Sequence, residues 1–102
     1  MTSLIVAADA DADFDDIFAY LRREAGTRVA VDYGLRFNTT LQRLLKFPES
    51  GAPRPMLGQT VRVAVVSPYI LIYDYVPEDD VMLLLRVLHE RRNIARELLH
   101  RR

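Results

Sequence analysis

Apolar positions along the chain recur at two periods, and each change of period marks an element. Ser3 to Ala7 is a short β-type run. It is followed by Asp9, Asp11 and Asp13, whose short carboxylates can accept backbone N–H groups at a helix start. Phe14, Ile17, Phe18 and Leu21 then fall at i, i+3, i+4 and i+7, one stripe of an amphipathic helix that Arg22, Arg23 and Gly26 close. Thr27 is placed to cap a second helix, in which Ala30, Tyr33, Phe37, Leu41 and Leu44 repeat at three-to-four spacing until Phe47-Pro48. A single tight turn joins the two helices into a hairpin. Gly34, mid-helix, costs roughly 1 kcal/mol against Ala, which points to close approach of the first helix or of the sheet. Pro48 to Gly58 holds three Pro and two Gly, which predicts a surface loop without regular structure.

Three β-rich runs follow, Val61 to Ser67, Tyr69 to Val76 and Val81 to His89, separated by links too short for anything but antiparallel neighbours. The middle run is apolar on both faces for five residues, as in a strand covered by the helices on one side and by something else, such as a partner, on the other. Arg91 to Arg102 reads as a short helix with Ile94 and Leu98 on one stripe. The pattern is therefore α+β, in the order βααβββ: an antiparallel sheet packed on an N-terminal helical hairpin, with a short C-terminal helix.

Length and composition narrow the chemistry. At 102 residues the chain makes one domain, 1–102, with no room for a second core. It contains no Cys, which excludes a disulfide framework, a thiolate zinc site and a thiol nucleophile. No apolar run approaches the ~18 residues of a membrane span, and no basic leader precedes Ser3; the expectation is a cytoplasmic, soluble protein without membrane contact. Formal net charge is zero but unevenly spread: residues 1–20 carry five Asp and no base, residues 81–102 six Arg and two Glu. Thirteen of the fourteen basic residues are Arg, suited to carboxylates, phosphates and aromatic faces. There is no phosphate-cradling Gly-rich loop, no paired His at metal spacing and no Gly-x-Ser-x-Gly elbow, so no cofactor and no metal are expected.

Four local strings go further: Ala12-x-x-Asp15-x-Ile17-x-x-Tyr20-Leu21, Leu44-x-x-Phe47-Pro48, Val61-Arg62-x-x-x-Val66-Ser67-x-Tyr69-x-Leu71-x-Tyr73, and Leu85-Arg86-Val87-Leu88-His89-x-x-Arg92-Asn93. Together, and in this order, they resemble the ParE branch of the RelE/ParE superfamily of type II toxins over nearly the whole chain. The resemblance implies the same fold, a cognate ParD-like antitoxin forming a hetero-oligomer with the chain, and DNA gyrase as target, with no sequence-specific nucleic-acid binding. RelE-like members instead cleave mRNA in the ribosome. Metal-free RNA cleavage needs a base, an acid and cations for the phosphorane. Ile70 stands where RelE-like proteins carry a central arginine, and their terminal tyrosine falls near Arg96. Only Arg62, His89 and Arg92 are left for a ribonuclease site, so the expectation is a toxin that binds and poisons a topoisomerase without catalysis.

Individual residues admit two readings each. Strand alternation with Val61, Val63 and Val65 puts Arg62 on the second sheet face, free for a ligand or paired with Asp74 or Glu90. Arg86, amid apolar residues, is either ion-paired, with Asp74 favoured, or reserved for a target. His89 is a structural histidine or an acid–base group. Tyr69, Tyr73 and Tyr75 share one face and read as core and edge packing. An antitoxin groove is expected from Leu41, Leu45, Ile70 and Ile72, flanked by Arg22, Arg23, Arg36 and Arg62. The target surface is expected from Arg86, His89, Arg91, Arg92 and Arg96.

Overall fold

The computed structural model describes residues 2–91. The elements run β1 (Ser3–Val6), α1 (Ala8–Ala25), α2 (Thr27–Lys46), β2 (Ala52–Pro53), β3 (Val61–Val66), β4 (Tyr69–Val76) and β5 (Val81–His89). They make one five-stranded sheet in the order β1-β5-β4-β3-β2, with the helical hairpin on one face. The predicted helix beyond Arg91 lies outside the described residues.

The three long strands form the antiparallel meander that their short links require. The expectation of a purely antiparallel sheet is corrected at one edge, where β1 runs parallel to β5, with Ser3 opposite Val81 and Val6 opposite Leu84. The helical hairpin and the strands β2 to β4 that lie between them in the chain supply the long connection that a parallel pair needs. At the other edge the Pro/Gly loop is less irregular than predicted. Ala52 and Pro53 pair with Val63 and Arg62, an edge position where Pro is tolerated.

Asp9, Asp11 and Thr27 do not cap: α1 begins after Ala7 and α2 after Gly26, neither with a side-chain cap. The first-turn carboxylates still complement the helix dipole. Gly26, at φ 96°, makes the turn between the helices in a conformation side chains disfavour. Gly34 is not a close-packed contact, since an added Cβ would meet only the Phe18 ring at 3.9 Å.

The main core lies between hairpin and sheet, around Leu44, Leu71, Tyr73, Met82 and Leu84, all fully buried. Phe37 is its centre, edge-on to Phe14 at 5.2 Å and to Phe18 at 6.0 Å, and 5.7 Å from Tyr69. Tyr69, Tyr73 and Tyr75 do share this face. A second cluster, Val61, Val63, Ile72 and Leu88, occupies the opposite face, and Leu57 from the Pro/Gly loop packs on it. A register shift between β4 and β5 sets Tyr73 opposite Leu84 and Ile72 opposite Arg86, leaving Leu85 of β5 as the extra residue. Met82 and Leu84 face the helices before this bulge, and Val87 does so after it.

Candidate functional site

A groove of about 760 Å³ opens where α1 crosses the end of the β4–β5 hairpin. α1 presents Asp16, Ile17 and Tyr20 one helical turn apart, so all three line the same wall. Tyr33 comes from α2; Tyr69, His89 and Arg91 come from the sheet and its end. Tyr69 stands edge-on to both Tyr33, at 5.7 Å, and His89, at 5.8 Å. Burial pushes the Tyr69 phenol above its ordinary pKa, and the nearby phenols of Tyr33 and Tyr20 push the same way. It is a neutral aromatic wall and a poor base. The His89 Nδ1 accepts the Arg91 backbone N–H at 3.2 Å, which fixes the ring against Tyr69 and leaves Nε2 as its other polar atom. Tyr20, about half exposed, and the exposed Asp16 and Arg91 form the rim.

Beneath the groove lies a buried ion pair. The Arg86 Nε and Nη2 donate to the Asp13 carboxylate at 2.7 and 2.9 Å, a two-pronged arrangement between α1 and β5. The Val87 N–H donates to the same carboxylate at 2.9 Å. β1 ends its pairing opposite Leu84, and the Asp13 side chain takes over the next outward-facing N–H of β5. Arg86 is therefore paired as favoured, but with Asp13 and not Asp74, whose oxygen accepts from the Thr60 hydroxyl. At 2% exposure Arg86 is withdrawn from the target surface. A signal was present in the sequence: Asp13 falls on the stripe of Ala10, Ile17 and Leu21, where a carboxylate must find a partner.

Arg62 is also corrected. Ala64 and Val66 face the helices and Val61 and Val63 do not, so Arg62 lies on the helix side, opposite Tyr73. Its Nη1 donates to the carbonyls of Glu49 at 2.8 Å and Gly51 at 2.9 Å, and Nη2 lies 3.9 Å from the Glu49 carboxylate. Neither Asp74 nor Glu90 is its partner. The Tyr73 hydroxyl reinforces the same strap, donating to Pro48 O at 2.8 Å and accepting the Gly51 N–H at 3.0 Å.

The residues expected to form an antitoxin groove do not converge. Leu41 and Leu45 pack into the helix–sheet core, whereas Ile70 and the fully buried Ile72 belong to the cluster on the opposite face. The two faces of the sheet are the reverse of those expected from the alternation, which separates these pairs by the thickness of the sheet. Arg22 and Arg23 are exposed on the last turn of α1, with Arg23 bound to Glu24. Arg36 is exposed, donates to Ser67 O at 3.3 Å and lies 4.7 Å from the Tyr33 ring centre. His89 and Arg91 do meet, in the groove. Arg92 and Arg96 lie outside the described residues. Asp16, Tyr20 and Tyr33 are groove residues that the periodicity gave no reason to single out.

Comparison with known proteins agrees with this architecture. The model of the family described as ParE toxin of type II toxin–antitoxin system, parDE, matches residues 4–94. The chain is 30% identical over 98 residues to Toxin ParE3 of Caulobacter vibrioides, covering 96% of both chains. In structure it is similar to a chain of the chromosomal ParDE system of P. aeruginosa, with TM-score 0.72 and 22% identity over 87% of this chain and 96% of that one. It is also similar to the isolated E. coli RelE toxin, with TM-score 0.62 and 21% identity over 99% and 98%. The two structural likenesses speak for the fold.

Proposed function

This chain belongs to the ParE toxin family of type II toxin–antitoxin systems, and on that premise we propose that it poisons DNA gyrase by binding and is neutralised by a ParD-like antitoxin. The site of action is the cytoplasm, where both partners are made. The aromatic groove, with His89 and Arg91 at its rim, is the target surface; the exposed Arg22, Arg23 and Arg36 are open to carboxylates of the antitoxin.

The observation that carries the non-catalytic reading is the separation of Arg62 from His89. They stand opposite Tyr73 and Tyr69 of the same strand. Four residues along β4 and two strand spacings across it set their backbones roughly 16 Å apart, too far, with the Arg62 guanidinium tied to the loop, for one scissile phosphate to touch both. The Arg62 Nη1 is moreover engaged by two loop carbonyls, and Arg86 is paired with Asp13.

A supercoiling assay with purified gyrase should show inhibition by the purified chain, with accumulation of cleaved DNA. Tyr20→Asp, which puts a second carboxylate on the rim, should weaken inhibition about tenfold or more. Primer extension on mRNA from expressing cells should show no new ends. Cuts confined to ribosome-bound mRNA, with gyrase unaffected, would replace this reading by the ribonuclease one.

A further inference from the structure

Tyr69 is 6% exposed, yet its hydroxyl has no hydrogen-bond partner among the described residues. No fully enclosed side-chain oxygen among them is left unpaired, so this hydroxyl opens into the groove between α1 and the β4–β5 hairpin, which Tyr69 lines. A nearly buried hydroxyl is costly to leave unpaired, and a ligand in the groove would complete the bond. Burial keeps its proton in place, which makes it a donor.

Two more polar groups of the groove face it unpaired. His89 accepts the Arg91 N–H on Nδ1, so the neutral ring carries its proton on Nε2 and offers a second donor. The Asp16 carboxylate, exposed on α1, makes no ion pair or hydrogen bond among the described residues and is the acceptor. The other carboxylate, that of Asp13, is taken up by Arg86 and the Val87 N–H. The rest of the lining is aromatic and aliphatic, with Tyr20, Tyr33, Ile17 and Leu88. Its volume of about 760 Å³ falls among small-ligand pockets, which span about 300–1,000 Å³.

Two donors, one carboxylate and aromatic walls suit a planar heterocycle. Guanine has two neighbouring acceptors, O6 and N7, for Tyr69 and His89, and two neighbouring donors, N1–H and the 2-amino group, for one carboxylate. Adenine and cytosine would turn a ring-nitrogen lone pair toward Asp16, and thymine or uracil offers it a single N–H. The exposed Arg91 at the rim suits one phosphate, whereas the acidic α1 opposes a longer phosphate chain.

We propose that this groove binds an unpaired guanine, carried by a mononucleotide, with Asp16 on its N1–H and 2-amino edge and Tyr69 and His89 on O6 and N7. The site is independent of the function proposed above; only its consequence, that nucleotide and target exclude each other from one groove, rests on that reading.

The test titrates the full chain with guanosine, inosine and adenosine 5′-monophosphates, followed by calorimetry and amide NMR. Affinity should fall in that order by about tenfold or more per step, since inosine loses the 2-amino group and adenosine also N1–H and O6. Shifts should centre on Ile17, Tyr20 and His89. Asp16→Asn, at an exposed helix position, should abolish the advantage of guanosine over inosine. Tyr69→Phe, which removes only the hydroxyl, should weaken both of these and leave adenosine unchanged. Asp15→Asn, an exposed carboxylate outside the groove, should change nothing. A thymidine pentanucleotide with one central guanine should bind more weakly than the mononucleotide; tighter binding would assign the site to a strand and overturn the mononucleotide. Equal affinity for the three mononucleotides, no shift in the groove, or indifference to both Asp16→Asn and Tyr69→Phe would overturn the inference. In the supercoiling assay, saturating guanosine monophosphate should relieve inhibition of gyrase. Undiminished inhibition beside titrations that behave as described leaves the guanine site standing and moves the target elsewhere. Titrations that fail while Tyr20→Asp still weakens inhibition remove the guanine and leave the target reading intact.

Discussion

Asp13 holds two elements at one point, since its carboxylate receives the Arg86 guanidinium and the Val87 N–H together. Removing one member of a buried pair strands the other charge, at a cost of about 3–5 kcal/mol. Asp13→Ala should lower the urea midpoint accordingly, with the slope unchanged. The double variant Asp13→Ala with Arg86→Met should recover most of that loss. It should still fall short by about 1–3 kcal/mol, the cost of an orphaned Val87 N–H. Full additivity of the two single losses would show that the pair is not coupled. Asp80 gives the pH counterpart at the surface. Its carboxyl accepts from the Thr2 hydroxyl at 2.7 Å and the Tyr75 hydroxyl at 2.9 Å, and these bonds, in that order, hold its pKa below the ordinary carboxylate value. The contribution is present above the unfolded pKa and disappears as pH falls through the lower folded one. Thr2→Val should therefore flatten the stability profile below about pH 4, and thermal melts across that range would detect it; an unchanged profile would mean the hydroxyl contributes nothing.

At the scale of elements, two glycines behave oppositely, Gly34 within α2 and Gly51 in the loop after it. A Cβ on Gly34 meets only ordinary contact with Phe18, so Gly34→Ala should stabilise α2 by about 0.5–1 kcal/mol. A Cβ on Gly51 would collide with the Tyr73 hydroxyl and the Val63 carbonyl, so Gly51→Ala should loosen the strap that Arg62 and Tyr73 close. Chemical denaturation of the pair should give shifts of opposite sign. The periodicity located all the long elements within a residue or two, because Phe14–Leu21 and Ala30–Leu44 are strong helical stripes and the strands are bounded by Pro. It could not reveal β1 running parallel to β5, which is a tertiary choice. The faces of the strands were equally hidden. Val61, Val63 and Val65 looked like the core side, yet Ala64 and Val66 are, and the bulge at Leu85 shifts β5 by one residue midway. Every error about the site followed from that: Arg62 and Ile70 exchanged faces, and Arg86 found Asp13. The groove was legible only in His89 and Arg91, since Asp16 and Tyr20 are outward residues of α1 and Tyr33 reads as one more member of the apolar stripe of α2.

For the molecule as a whole, the charge is segregated by helix: α1 holds six acidic residues against two basic ones, α2 four basic against one acidic. A partner approaching the α2 side meets a positive field that added salt screens over about 10 Å at 0.1 M. Association with the antitoxin should thus slow by more than tenfold between about 0.05 and 0.5 M salt while dissociation changes little, as stopped-flow mixing would show. Salt-independent association would assign recognition to apolar contact alone. The pairing of the first strand with the last has a consequence in time. Asp13 and Arg86 are 73 residues apart, as is nearly the case for Ser3 and Val81. A ribosome adding about 5–20 residues per second needs roughly 4 to 15 s to travel between them. Throughout that interval α1 is already made and β5 does not exist. A message broken, or a ribosome stalled, before codon 81 can therefore release only a chain whose Asp13 carboxylate is unmatched and whose first strand has no neighbour, and the complete sheet comes only from synthesis carried almost to its end.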